Sequence, residues 1–335
     1  MSASSIPLPP LPPSVLHLLV IAHPDDESMF FTPTLSNLPP STTAILSLTN
    51  GDYPPSSGSV REQELRAACN EFGIASSRVF LPNLRPAGVY DHPTHRSPAA
   101  PIIAYLDDLL TKLVKSEKKD GMEYDEIKLY TFDGTGVSGH VNHIDTYRAL
   151  VSYLATLAPT QTFNNIPLSL NILHTIPLFL KYSPLTPLTP LPHYILLSLY
   201  NTLLPTGRCV TTCIDFTGNS MKCHTSQNVW YRRIFVSTSA YSHVNLLQIH
   251  PSETRNPTLW DVVQPAGLFF FTLYASSLMV HFVYNTLAHL VDTRTLPTNA
   301  FYSEATAMYV SAAVVAVIVL EYSTWLGGML FKRNA

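Results

Sequence analysis

This sequence is short of charge. Asp, Glu, Lys and Arg make up 13% of its 335 residues, against about 25% in an ordinary soluble domain. The shortage implies that part of the chain is hidden from water by lipid. A net charge of −3, with no basic patch, excludes nucleic-acid binding as a class. Cysteine is scarce as well. Cys69, Cys209, Cys213 and Cys223 form no C-x-x-C pair and are too irregularly spread for a disulfide framework. Reduced thiols facing the cytosol are expected, with a Cys209–Cys213 pairing left open. The N-terminus lacks the positive charge and apolar run of a secretory signal peptide; residues 1–13, rich in Ser and Pro, are expected to form a flexible tail. Apolar residues reach 46%, enough for a sizeable core in one large domain with appendages, or in two.

Residues 15–22 (VLHLLVIA) form an almost unbroken apolar run, the pattern of a strand buried on both faces of a parallel sheet. A second run, 43–48, leads into the turn signal Asn50-Gly51-Asp52. Ser59, three residues before Glu62, has capping-box spacing and predicts a helix through Phe72 that stops at Gly73. Residues 78–81 and 127–132 read as further strands, and 102–114 and 140–157 as helices. Strands alternating with helices mean βαβ units. The expected class is α/β: a Rossmann-like, mostly parallel sheet flanked by helices, followed by two C-terminal transmembrane helices. In such sheets ligands bind beyond the carboxyl ends of strands, and the chemically interesting runs 23–27 and 140–143 each follow a predicted strand.

Two regions depart from that pattern. Residues 159–206 are rich in Leu, Pro and Thr; prolines so dense exclude one continuous helix, and an insertion with short helices is expected. Residues 268–290 contain no Asp, Glu, Lys or Arg, and 305–331 contain only Glu321. Each is long enough to cross about 30 Å of hydrocarbon as a helix, although two buried core helices are the alternative. A hairpin of two spans returns Lys332 and Arg333 to the side of the N-terminal part, and the loop between carries Arg294 as its one cation. The positive-inside tendency then favours a cytosolic N-terminal part.

His23, Asp25 and Asp26 share one turn. A neutral imidazole and a carboxylate are ordinary zinc ligands, and a catalytic zinc keeps three protein ligands with one open position. Adjacent carboxylates on an irregular turn can diverge, one to a metal and the other to a water. The same residues could hold magnesium, or cap a helix starting near Ser28. His140 and His143 lie three apart at a helix start, hence on one face, and either could reach a metal held by the first run. The donor types suit iron or cobalt as well as zinc.

AHPDDE at 22–27 together with GVSGHVNH at 136–143 resembles the LmbE-like superfamily of zinc de-N-acetylases. The longer runs HPDDESMFF (23–31), TFDGTGVSGHVNH (131–143) and CHTSQNVWYRR (223–233) resemble one branch, the N-acetylglucosaminyl-phosphatidylinositol de-N-acetylases of glycosylphosphatidylinositol-anchor synthesis. The resemblance covers roughly 15–250, within an expected deacetylase domain at 14–260. Position by position it implies His23, Asp26 and His143 as zinc ligands, Asp25 as general base and His140 as the residue stabilising the oxyanion. Arg61 matches a position implicated in sugar binding, with a solvated helix arginine as the alternative. His224 and Gln227 match the branch motif and are expected to contact sugar or phosphate, with a structural histidine as the alternative. Arg232 and Arg233 are expected near the inositol phosphate or anionic head groups, and Asp133 is expected to position the Gly-rich loop.

The expected activity is hydrolysis of the N-acetyl group of N-acetylglucosaminyl-phosphatidylinositol at the cytosolic face of the endoplasmic reticulum membrane. The expected partners are the lipid-linked sugar and membrane lipid. A deacetylase acting on a soluble N-acetylated sugar conjugate, and a catalytically inactive membrane scaffold, are the alternatives. The sequence decides neither the donor of the leaving amine's proton, Asp25 or His140, nor protein partners.

Overall fold

A computed structural model describes residues 14–53, 57–119, 123–176, 181, 209–213 and 219–250. The expected spans at 268–290 and 305–331 lie outside these residues, as does most of the Pro-rich stretch. Among the described residues no helix is long and apolar enough to cross a membrane.

The strands are β1 (Val15–Ile21), β2 (Thr43–Ser47), β3 (Val79–Phe80), β4 (Glu126–Phe132), β5 (Thr162–Phe163), β6 (Ile166–Leu173), β7 (Cys209–Cys213) and β8 (Val244–Ile249). They form one sheet in the order β3-β2-β1-β4-β6-β8-β7, with β5 pairing β6 off this path. The first five of that order are parallel, while β6–β8, β8–β7 and β5–β6 are antiparallel. The helices are α1 (Asp26–Phe30), α2 (Thr32–Leu35), α3 (Gly58–Glu71), α4 (Ala99–Lys119), α5 (Gly136–Gly139), α6 (Val141–Thr156), α7 (Asn219–Cys223) and α8 (Trp230–Thr238).

Side chains alternate across a strand, and β1 sorts its residues accordingly. Leu16, Leu18 and Val20 join one apolar cluster with Ile102, Leu106 and Leu110 of α4 and Leu150 and Tyr153 of α6. Leu19 and Ile21 join the other, with Phe30, Phe31 and Leu35 of α1 and its surroundings and Leu65 and Cys69 of α3. Both faces of β1 are therefore covered, which is why its sequence is an unbroken apolar run and not an alternating one. Each fully buried Leu or Ile contributes about 1.5–3 kcal/mol.

Two expectations need correction, and one pairing left open is closed. The Pro-rich stretch does not begin as short helices: Leu168–Leu173 of β6 lie parallel to Ile127–Phe132 of β4, so the sheet takes in its first part. Cys209 and Cys213 occupy opposite ends of β7, about 13 Å apart at strand rise, beyond the Cα separation of a disulfide, about 4.4–6.8 Å. The Ser59–Glu62 capping box does not form. The helix starts earlier, at Gly58, because Asp52 Oδ1 accepts from the amides of Ser57 and Gly58 at 3.1 and 3.3 Å. Glu62 is thereby freed to pair with Arg66 one turn on, at 2.9 Å.

The strand order reverses at β1. Successive crossovers carry the chain outward to β2 and β3, and α4 returns it to the far side of β1 as β4. Such a switch point opens a crevice at the carboxyl ends of the two central strands. The loops after β1 and β4 meet there.

Candidate active site

The loop after β1 is held by its own side chains. Asp26 Oδ2 accepts from the amides of Ala22 and His23 at 3.2 and 2.9 Å. Asp25 adopts φ 116° and ψ −22°, a region that costs a residue with a side chain about 1–3 kcal/mol. Because Asp25 is left-handed and Asp26 is helical, the two carboxylates diverge. Asp26 Oδ1 faces His143 Nε2 at 3.1 Å. Asp25 Oδ2 stands 2.8 Å from Arg232 Nη1 and 3.4 Å from Arg61 Nη2, with no aligned hydrogen bond.

The loop after β4 is fixed by Asp133, which accepts from Thr135 and Thr175 through both oxygens. Gly136, at φ +64°, turns its carbonyl to His143 Nδ1 at 3.0 Å. The His143 ring stacks on Phe132 with centroids 3.9 Å apart and planes 3° from parallel. His140 caps α6, its Nδ1 accepting from the amide of Asn142 at 3.3 Å. One ring nitrogen each from His23, His140 and His143 lies within 4.8 Å of the others.

These partners set the electrostatics. His143 Nδ1–H is committed to a carbonyl, so Nε2 presents a lone pair to the lone pairs of Asp26 Oδ1 at 3.1 Å. Two acceptors face each other there, and a proton or a cation must neutralise them. His23 is in the same position: Nδ1 is 3.5 Å from Asp26 Oδ2 and Nε2 is 3.2 Å from Asp91 Oδ1. Burial works against its protonation, but bonds to Asp26 and Asp91 outweigh that and push its pKa up to about 10. Burial would raise Asp26; the His143 and His23 contacts hold it well below the usual carboxylate range. His140 goes the other way, pushed down to about 4 by burial and by His23 and His143. Burial raises Asp25 against the pull of Arg232 and Arg61. A buried set of imidazoles and carboxylate whose stray protons stand in for missing positive charge fits a divalent cation.

Of the remaining expected site residues, Gln227 is half-buried and its Oε1 accepts from Arg232 Nη1, so it aims the guanidinium that reaches Asp25. Arg61 is only 4% exposed and is no solvated helix arginine. It donates to the carbonyls of Pro24 and Gly51 at 2.7 and 2.8 Å and approaches Asp91 at 3.6 Å. As placed it clamps the loops rather than facing a sugar. His224 is 0% exposed, its Nε2 on Glu27 Oε1 at 2.5 Å, out of reach of a sugar or phosphate. The sequence reading missed Glu27 and Asp91. Glu27 was visible as the last letter of the first run. Asp91 sits in a loop with no local signal and becomes a site residue only through the tertiary fold.

Residues 18–154 match the family described as "PIG-L: GlcNAc-PI de-N-acetylase". The N-acetylglucosaminyl-phosphatidylinositol de-N-acetylase of Bos taurus is 32% identical over 235 residues, 69% of this chain and 81% of its own. The chain belongs to this family. A probable de-N-acetylase of the same name from Schizosaccharomyces pombe is 28% identical over 242 residues, 69% of this chain and 85% of its own. Among solved structures, an N,N'-diacetylchitobiose deacetylase from Pyrococcus horikoshii aligns with a TM-score of 0.42 at 12% identity, over 72% of this chain and 85% of that one. In this GlcNAc-PI de-N-acetylase family member the matched residues 18–154 hold His23, Asp25, Asp26, Arg61, Asp91, His140 and His143. The segment with His224, Gln227 and Arg232 lies beyond them.

Proposed function

We propose that this chain hydrolyses the N-acetyl group of N-acetylglucosaminyl-phosphatidylinositol, giving glucosaminyl-phosphatidylinositol and acetate, in glycosylphosphatidylinositol-anchor synthesis. The names of its relatives support the substrate. The observation that carries the chemistry is the divergence of two adjacent carboxylates: Asp26 faces His143 at 3.1 Å while Asp25 turns to Arg232 and Arg61.

His23, Asp26 and His143 would hold the metal, a divalent ion; the family resemblance favours zinc, and iron or cobalt would also fit these donors. A divalent ion bound there supplies a more acidic water and a polarised amide carbonyl. Asp25, turned away from the metal ligands and kept as the carboxylate by the Arg232 and Arg61 charges beside Oδ2, accepts a proton from the attacking water. Since His140 Nδ1 already accepts from Asn142, its proton sits on Nε2, and that N–H donates to the developing oxyanion from a neutral ring. The C–N bond then breaks, and the leaving nitrogen takes its proton from Asp25, because His140 at about 4 carries none to give near neutrality. Acetate and the free amine are the products.

Residues 268–290 and 305–331 would anchor the enzyme in the endoplasmic reticulum membrane with the site facing the cytosol, where a lipid-held substrate lies. The test is release of acetate from the lipid-linked sugar by wild type, His23→Ala and Asp25→Asn. Asp25→Asn should keep its metal and lose about 10²–10⁴-fold in kcat. Wild type and His23→Ala leaving the substrate equally acetylated would sink the reading.

A further inference from the structure

Glu27 and His224 have no part in the chemistry above, yet both are fully withdrawn from water and meet across 197 residues of sequence. Glu27 divides its carboxylate. Oε2 accepts the amide N–H of Asp25 at 3.0 Å. Oε1 accepts from Ser28 Oγ at 2.7 Å and stands 2.5 Å from His224 Nε2. The amide so held belongs to the residue at φ 116°. A side-chain-bearing residue stays in that region only where its surroundings over-determine it. His224 Nδ1 is buried with no hydrogen-bond partner among the described residues, where the polar contact of the ring is made with Glu27.

His224 is itself held firmly. Its amide donates to Met221 O at 3.2 Å at the end of α7. Its neighbours Thr225 and Ser226 donate to both oxygens of Glu64 on α3, at 2.6–2.7 Å. The same stretch then aims Arg232, through Gln227, at Asp25 Oδ2. Residues 224–232 thus reach Asp25 from two sides: its amide through Glu27, and its carboxylate through Arg232.

We propose that His224 is a positioning residue for Asp25 and acts through Glu27. The pair keeps Asp25 in its left-handed turn, and that turn is what points one carboxylate of the adjacent two away from the metal ligands. Without it the amide of Asp25 loses its fixed acceptor, the turn relaxes and the carboxylate leaves the line of the attacking water. The role in turnover rests on the deacetylase reading; the effect on the backbone does not.

The test compares His224→Ala with His224→Gln in the full-length, metal-replete protein. Glutamine carries an N–H at nearly the reach of imidazole Nε2 and restores the bond to Glu27. His224→Ala should lose at least about tenfold in kcat with KM held within about twofold, and His224→Gln should recover most of it. A crystal structure of His224→Ala should show Asp25 out of the positive-φ region. A pair that matters only for folding would lower yield and melting temperature in His224→Ala while leaving kcat per folded, metal-loaded molecule intact. That result overturns the inference, as does an Asp25 that keeps its φ in His224→Ala. Should wild type leave the lipid-linked amide uncleaved, the deacetylase reading falls, and the backbone of Asp25 in His224→Ala still decides the positioning role.

Discussion

His143 and Asp26 face each other as two acceptors, Nε2 to Oδ1 at 3.1 Å, while the other nitrogen of the ring is spent on the carbonyl of Gly136. The arrangement is repulsive unless positive charge lies beside it. A bound divalent ion removes the repulsion in the folded state alone, and so stabilises the fold by mass action. At a thousandfold excess over Kd that is about 4 kcal/mol. Stripping the protein with a chelator should lower its melting temperature by several degrees, and one equivalent of zinc should restore it. Identical melting curves with and without chelator would argue against a resident metal.

The carbonyl of Gly136 is what orients His143, and it depends on the absence of a side chain. At φ +64° a Cβ would be strained, and it would lie 2.9 Å from His143 Cβ. Gly136→Ala should weaken zinc binding about 10–100-fold, the usual effect of losing the group that orients a ligand, as read by competition with a chromogenic chelator. Gly139→Ala is the control. It sits at φ +77° with no atom of the described residues within 4 Å of a Cβ, so it carries the backbone strain, roughly 1–2 kcal/mol, without touching His143. Equal zinc affinities in the two variants would show that Gly136 acts through strain alone.

Arg232 and Arg61 both oppose the rise that burial imposes on Asp25. The base is active as the carboxylate, so activity is present above its pKa and lost as pH falls through it. Arg232→Met removes one opposing charge and should move the acid limb of kcat/KM to higher pH. Arg233→Met should not, since Arg233 is exposed and its Nε donates to Asn228. An unmoved limb in Arg232→Met would mean that Asp25 is not the group that limits the rate in acid.

The parts of this molecule that the sequence revealed are those specified by local pattern. β1 is an almost unbroken apolar run covered on both faces, as such strands require; β2 is a shorter one, and β4, although Lys128 interrupts it, keeps Ile127, Leu129, Tyr130 and Phe132 buried. The divergence of Asp25 and Asp26 follows from their adjacency on a turn. β6 escaped because Pro167 and the proline-rich residues after it read as an interruption, although Pro167 pairs only with the two-residue β5 and the ladder to β4 begins at Leu168. The start of α3 was misplaced because its amides are capped by Asp52, a residue outside the helix. Asp91 and the Glu27–His224 pair are tertiary: their partners lie 68 and 197 residues away, and no window along the chain brings them together. Arg61 and His224 were found by resemblance, which marks a position and not its contacts. Both are buried supports of the loop at Asp25.

His17, in the middle of β1, gives the fold a dependence on acid that does not involve the site. Its Nδ1 meets Tyr130 OH at 2.9 Å, and burial, with Lys128 nearby, holds its pKa down to about 4. In the unfolded chain a histidine titrates near 6.5. Between those values the unfolded state binds the proton and the folded state does not, so stability rises with pH across the window. The contribution is whole above about 6.5 and is lost as pH falls toward 4. Its ceiling is about 3 kcal/mol from the separation of the two values, reduced by whatever water reaches the ring. The double variant His17→Leu with Tyr130→Phe removes the titrating group and leaves no hydroxyl unpaired. Its melting temperature should fall less than that of wild type between pH 7 and pH 4.5, at equal metal loading, because every other titrating group is common to both proteins. Parallel curves would show that His17 takes up its proton without unfolding the strand.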